Sequence, residues 1–202
     1  MKRNILKALF LAAIISAIQF GGCAGKPTIF IYVRDGSSDF EYMLQQELGV
    51  MKSMLEEAGL RTVVATVSDE SYYHLRAALD PDLSLKEVKV KKYAGFLLPC
   101  MAAGAPGFIE AEAVEMVKQA VAQGKPVAAQ HGSVFTLGRA GLLNGKRYAY
   151  ELPLITEGIY SGTGVVQDGL VITAGICAYE AKITGRPDGT AELTRQLIEA
   201  VQ

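Results

Sequence analysis

Few residues in this 202-residue chain could do chemistry, and they cluster in a few places. It has three cysteines, Cys23, Cys100 and Cys177, and two histidines, His74 and His131. A cysteine supplies a thiolate nucleophile, a soft metal ligand or half a disulfide, and a histidine supplies a base or a ligand. Three segments that each follow an apolar run carry unusual residues: Asp35 to Glu41, Pro99-Cys100-Met101, and Gln130-His131-Gly132. Cys100, His131, Cys177 and Glu41 show no recognised ligand spacing, so only convergence in space could make them a metal site, and neither metal nor cofactor is expected. His74, among Tyr72, Tyr73 and Leu75, reads as surface or rim. Ser133 could be imagined as a nucleophile, but a serine that opens a helix is more often its N-cap. Ser38-Asp39-Phe40-Glu41 reads as a capping box, with Glu41 reaching back to the helix start.

The elements that must position these residues follow from periodicity. Thr28 to Val33 is a β-branched and aromatic run and reads as a buried strand. Phe40, Met43, Leu44, Leu48, Met51, Leu55 and Ala58 recur at helical spacing, and Gly59 is placed to end that helix. Leu60 to Val67 is a second continuous apolar strand, as expected where both faces of a parallel sheet are covered. Ser68 to Lys92 turns polar and reads as short helical and irregular structure capping the sheet edge. Ala94 to Pro99 is the next strand, followed by a small-residue loop from Cys100 to Gly107 and a helix over Phe108 to Gln123. Val127 to Gln130 is a strand that runs into His131-Gly132 and a helix from Ser133 to Ala140. Asp168-Gly169 within Val165 to Thr173 signals a two-residue hairpin. Thr190 to Val201 is a last amphipathic helix. The alternation predicts an α/β domain: a doubly wound, mostly parallel sheet with helices on both faces.

Composition bounds the rest. Half of the residues are hydrophobic and 20% are charged, which excludes disorder and small disulfide scaffolds. Twenty basic residues against 21 acidic ones leave no bulk attraction to nucleic acid, and no nucleic-acid partner is expected. The first 22 residues carry Lys2, Arg3 and Lys7, then an uncharged stretch from Ala8 to Gln19, then Phe20-Gly21-Gly22 before Cys23. That pattern resembles a bacterial lipoprotein signal, with Phe20 where leucine is usual. An ordinary cleaved signal with an incidental cysteine is the alternative. Residues 1–22 are thus expected to be removed and 23–202 to form the domain, held at a membrane through a lipidated Cys23 on the periplasmic or cell-surface side. Losing three basic residues leaves 17 positive against 21 negative, a formal charge of −4.

The block Lys125-Pro126-Val127-Ala128-Ala129-Gln130-His131-Gly132, continued by Ala140 to Lys146, resembles the ThiJ/PfpI (DJ-one) family of the class I glutamine amidotransferase-like superfamily. Asp35-Gly36 with Glu41, Tyr93 to Pro99, and Val166 to Thr173 support it. The resemblance implies a flavodoxin-like fold and a site at the strand ends, where ligands sit in such sheets. The family's chemistry rests on a cysteine at the strand-to-helix turn before the His-Gly pair, and that position is matched here to Gln130. An amide cannot replace a thiolate, so the resemblance implies a degenerate site.

Glu41 is matched to the family's buried glutamate, beside the capping-box reading, and a hydrogen bond between Glu41 and Gln130 is expected if it faces the pocket. Cys100 stands where the family usually has glycine in an oxyanion turn. His131 is expected to shape the elbow. Cys177 lies in a segment that in relatives returns towards the pocket; a disulfide with Cys100 and two separately buried thiols are both open, the bridge requiring Cα atoms within about 7 Å.

The leading expectation is a lipid-anchored binding or scaffold domain without elbow chemistry, its small polar ligand contacted by Glu41, Cys100, Met101, Gln130 and His131. The alternatives are a hydrolase or lyase using Glu41 with water or Cys100, and a structural partner-binding protein. The resemblance also implies self-association as a homodimer.

Overall fold

Strand β1 (Thr28–Tyr32) sets the layering, because successive side chains on a strand leave it on opposite faces. Ile29 and Ile31 enter one core with Leu97, Ala128 and Ile172, while Phe30 and Tyr32 enter the other with Phe96, Leu98 and Ala129. Both faces are apolar, so both need cover. The computed structural model describes residues 25–34, 39–67, 79, 81–102, 109–150 and 157–202; the expected signal and Cys23, Asp35 to Ser38, His74 and most of the loop after Cys100 lie outside them.

The first face is covered by α2 (Val50–Glu57) and α6 (Thr190–Val201), and the second by α3 (Ala111–Ala122) and α4 (Val134–Arg139). Between them lies a seven-stranded sheet containing β2 (Arg61–Thr66), β3 (Leu83–Ser84), β4 (Gly95–Leu98), β5 (Val127–Gln130), β8 (Val165–Asp168) and β9 (Val171–Ala174). Its order is β3-β2-β1-β4-β5-β9-β8, parallel throughout except for the expected antiparallel β8–β9 hairpin, whose two-residue turn is Gly169-Leu170, with Asp168 still in the strand and paired with Val171. Gly169 has φ +64 at that turn, the left-handed conformation the signal requires. Short strands β6 (Arg147–Tyr148) and β7 (Ile159–Tyr160) form a separate parallel pair.

The doubly wound expectation therefore holds, with three local differences. The helix expected over Phe40 to Ala58 starts as α1 (Phe40–Met43), widens into a π segment over Leu44–Gly49, and resumes as α2. The polar stretch before Lys92 adds the edge strand β3 and two 3₁₀ turns. Helix α5 (Ala178–Thr184) lies where no helix was expected, between β9 and α6. A seven-residue helix carries too few apolar repeats to be seen by periodicity.

Candidate functional site

Strands β4, β5 and β9 are parallel neighbours, so the residues that follow them emerge side by side at the carboxyl end of the sheet. Those residues are Cys100, His131 and Cys177. One donor atom from each, two Sγ and a ring nitrogen, lies within 4.8 Å of the others. Cys100 Sγ stands 3.4 Å from His131 Nδ1. Cys100 and His131 are half-buried and Cys177 is 1% exposed. The two cysteines are free thiols, yet they share one site rather than being separately buried.

Each member is held by its own device. After β4 the chain enters a 3₁₀ turn, and Glu47 accepts the backbone N–H of Cys100 at 2.8 Å and of Met101 at 3.3 Å. Glu47 is fully buried, and burial pushes its carboxyl well above the usual carboxylate range despite those two donors. After β9, Gly175 passes so close to Thr163 that an added Cβ would lie 2.6 Å from that residue's Cα. The chain then places Cys177 at the N-cap of α5, where its sulfur accepts the Glu180 N–H at 3.4 Å. His131 packs on the Tyr150 ring with centroids 4.4 Å apart.

Electrostatics separates the thiols. The Cys100 thiol donates to Cys177 and is pushed up by that bond, by burial and by nearby Glu47. Cys177 is pulled down to about 5, first by the same hydrogen bond and then, against its burial, by His131 and the Glu180 N–H. Two adjacent sulfurs that cannot both ionise cheaply thus hold one charge between them. The centre can act as a nucleophile, a redox pair or a soft ligand set.

The structure corrects the expected elbow. Gln130 is still in the sheet, extended at φ −109 and ψ 132 and paired with Ala174, whereas His131 has φ +48 and makes the sharp turn. β5 ends at Gln130 as expected, but the left-handed turn falls on His131, one residue after the position to which the resemblance assigns the elbow. Gln130 is wholly buried and donates to Thr190 Oγ1 at 2.8 Å and Ile176 O at 3.1 Å, with Asp188 Oδ1 at 3.4 Å. It fastens β5 to the segment that carries Cys177, and is a positioning residue rather than a ligand contact.

Glu41 is corrected as well. It is exposed on α1, Gln130 spends its amide on other partners, and the expected bond between the two does not form. The cap residue of α1 is Asp39, which makes no side-chain cap; Ser38 lies outside the described residues. The buried acid is Glu47, six residues on. Its signal was present in the sequence: Met43, Glu47, Met51 and Leu55 form one row at four-residue spacing, and all four are buried. An acid interrupting an apolar row needs partners, and here it finds two backbone N–H groups. Met101 is fully buried in the core and reaches the site only through its backbone. Ser133 holds the N-cap position of α4 without capping it; its hydroxyl donates to Pro99 O instead.

Comparison with known proteins agrees with this fold. A protein of Archaeoglobus fulgidus described only as uncharacterized is 37% identical over 131 residues, covering 59% of this chain and 75% of that one. Oxidized DJ-1 of Toxoplasma gondii superposes with TM-score 0.63 at 23% identity over 87% of this chain and 90% of its own. A two-domain protein from Anabaena variabilis with DJ-1/ThiJ/PfpI-like and ferritin-like domains gives TM-score 0.61 at 22% identity over 87% of this chain, which spans only 55% of it. The family model for the DJ-1/PfpI family matches residues 28–182, which takes in the sheet and all three members of the Cys–His–Cys centre, and the chain belongs to that family.

Proposed function

We propose that this is an exported, lipid-anchored DJ-1/PfpI domain that binds a ligand through its Cys100–His131–Cys177 centre instead of running chemistry from a cysteine at the β5 turn. The observation that carries the reading is the residue at that turn: it is His131, and the thiols come from the ends of the two flanking strands. A thiol at the turn would meet the helix that follows it; here both thiols face an imidazole and one another. The ligand suited to two sulfurs and an imidazole is a soft one, not the small polar molecule expected from Glu41 and Gln130.

Export rests on the basic start, the uncharged stretch and Gly21-Gly22-Cys23. Globomycin-sensitive processing and detergent-phase partitioning of the full chain, both lost with Cys23→Ser, are the expected results in a bacterial host.

A second reading is favoured by the Cys177–His131 pair, which has the composition of a thiol-enzyme dyad. The thiolate would add to an acyl carbon, and His131 would pass a proton to the departing group. One assay separates the two. Metal-free parent, Cys177→Ser and His131→Cys are tested against thioester, peptide and 2-oxoaldehyde substrates. No turnover by the parent, with thiol reactivity gained at the turn in His131→Cys, supports the binding domain. Turnover by the parent that vanishes in Cys177→Ser overturns it in favour of the enzyme.

A further inference from the structure

We infer that Cys100, His131 and Cys177 form a three-ligand site for a thiophilic metal ion, with Zn²⁺ the expected occupant. The inference rests on the binding reading above and names the class of ligand.

The donor set is the first argument. Two sulfurs and one imidazole nitrogen are the ligands zinc takes in three-ligand protein sites, with a fourth tetrahedral position left to water or an incoming group. Geometry is the second. Zinc lies about 2.3 Å from sulfur and about 2.05 Å from nitrogen, so a tetrahedron has an S···N edge of about 3.6 Å and an S···S edge of about 3.8 Å. The Cys100 Sγ to His131 Nδ1 separation is 3.4 Å, and no pair among the three donor atoms exceeds 4.8 Å. The Cys100–His131 edge is within a few tenths of an ångström of the tetrahedral value, and the other two need to close by about 1 Å at most, within reach of side-chain rotation.

The outer contacts are the third argument. Ligand sulfurs and imidazoles in metal sites are oriented by hydrogen bonds from behind. Cys177 Sγ accepts the Glu180 N–H, and the backbone N–H of Cys100 is held by Glu47. His131 is set by its turn conformation and by Tyr150. Each ligand thus stands on a rigid strand end with its own support, an arrangement that two thiols merely filling a core would not need.

Charge points to the ion. Two thiolates and a neutral imidazole carry two negative charges, which a divalent ion cancels and a monovalent one leaves half-compensated in a largely buried site.

The test uses the full chain in detergent with Cys23→Ser, so that Cys100 and Cys177 are its only thiols, kept reduced and metal-free. Zn²⁺ is titrated against a chromophoric chelator, and Co²⁺ is added in parallel as a spectroscopic reporter. The expected result is one equivalent of Zn²⁺ bound, thiolate-to-cobalt charge-transfer bands with tetrahedral visible absorption, and a loss of about 100-fold or more in affinity in Cys100→Ser, Cys177→Ser and His131→Gln. Circular dichroism checks that each variant is folded, and Glu112→Gln on α3 serves as a surface control that binds like the parent. Absence of stoichiometric binding, or binding that survives loss of both thiols, overturns the metal site. Because the turnover assay is run on metal-free protein, failure of the binding reading would show there and not here.

Discussion

The two halves of the site solve the same problem in opposite ways. On the β4 side a thiol sits on a turn whose N–H groups are already taken by a buried acid. On the β9 side a thiol sits at a helix start and receives an N–H itself. Both sulfurs are substantially buried, yet Cys100 is pushed up and Cys177 is pulled down to about 5. Burial alone would raise both. Local donors, a few ångströms apart, decide which sulfur is charged.

The contrast breaks most severely at Glu47. Glu47→Ala leaves the Cys100 and Met101 N–H groups unpaired in the interior and opens a cavity, at a cost of about 3 kcal/mol measurable by chemical denaturation. Glu47→Gln keeps one acceptor and costs less. The folded protein holds a proton on Glu47 that the unfolded chain releases near the ordinary glutamate value, so this residue's contribution falls as pH rises from that value towards the folded one. Glu47→Gln should flatten that part of the stability profile.

Gln130→Leu is next, at about 2 kcal/mol, because it removes the donor shared by Ile176 O and Thr190 Oγ1. Its effect should fall on the β9 side: hydrogen exchange at Glu180 should accelerate while that at Cys100 does not.

The thiols themselves sharpen the comparison. Because Cys177 is 1% exposed and Cys100 only half-buried, the charge is read by thiolate ultraviolet absorbance rather than by alkylation: in metal-free protein at pH 6 the band should be present, and it should be lost in Cys177→Ser. Cys100→Ala, which removes the thiol donor, should move the Cys177 midpoint upward.

The smallest effect belongs outside both halves. Asp168 is held below its ordinary range, first by the Arg147 N–H and then by Lys146. Its contribution is present above the ordinary aspartate value and lost as pH falls through the folded one, so Asp168→Asn should match the parent in acid and lag it slightly at neutral pH.

Much of the scaffold was legible from residue patterns. The continuous apolar strands, the Asp168-Gly169 hairpin signal and the stripe of α6 each have one strong local cause. The site was legible only in its members. Cys100 and His131 stand out by type, but Cys177 depends on α5, a helix too short to announce itself. The turn falls one residue later than the resemblance puts it, because pairing with Ala174, a contact 44 positions away, keeps Gln130 in the strand. Glu41 is preferred to Glu47 because the resemblance matches it to the family's buried glutamate, whereas the acid in the apolar row becomes meaningful only when that row is known to be buried.

Strand polarity has one more consequence. Cys100, His131 and Cys177 follow the carboxyl ends of strands that run parallel to β1, so the start of β1 lies at the opposite pole of the sheet. Only four residues separate Cys23 from Thr28, a reach of roughly 17 Å at full extension, and Pro27 is already bonded to Arg61. A lipid on Cys23 would therefore moor the domain by its base on a short leash. The mouth of the Cys–His–Cys centre would look away from the bilayer, towards whatever the surrounding fluid delivers.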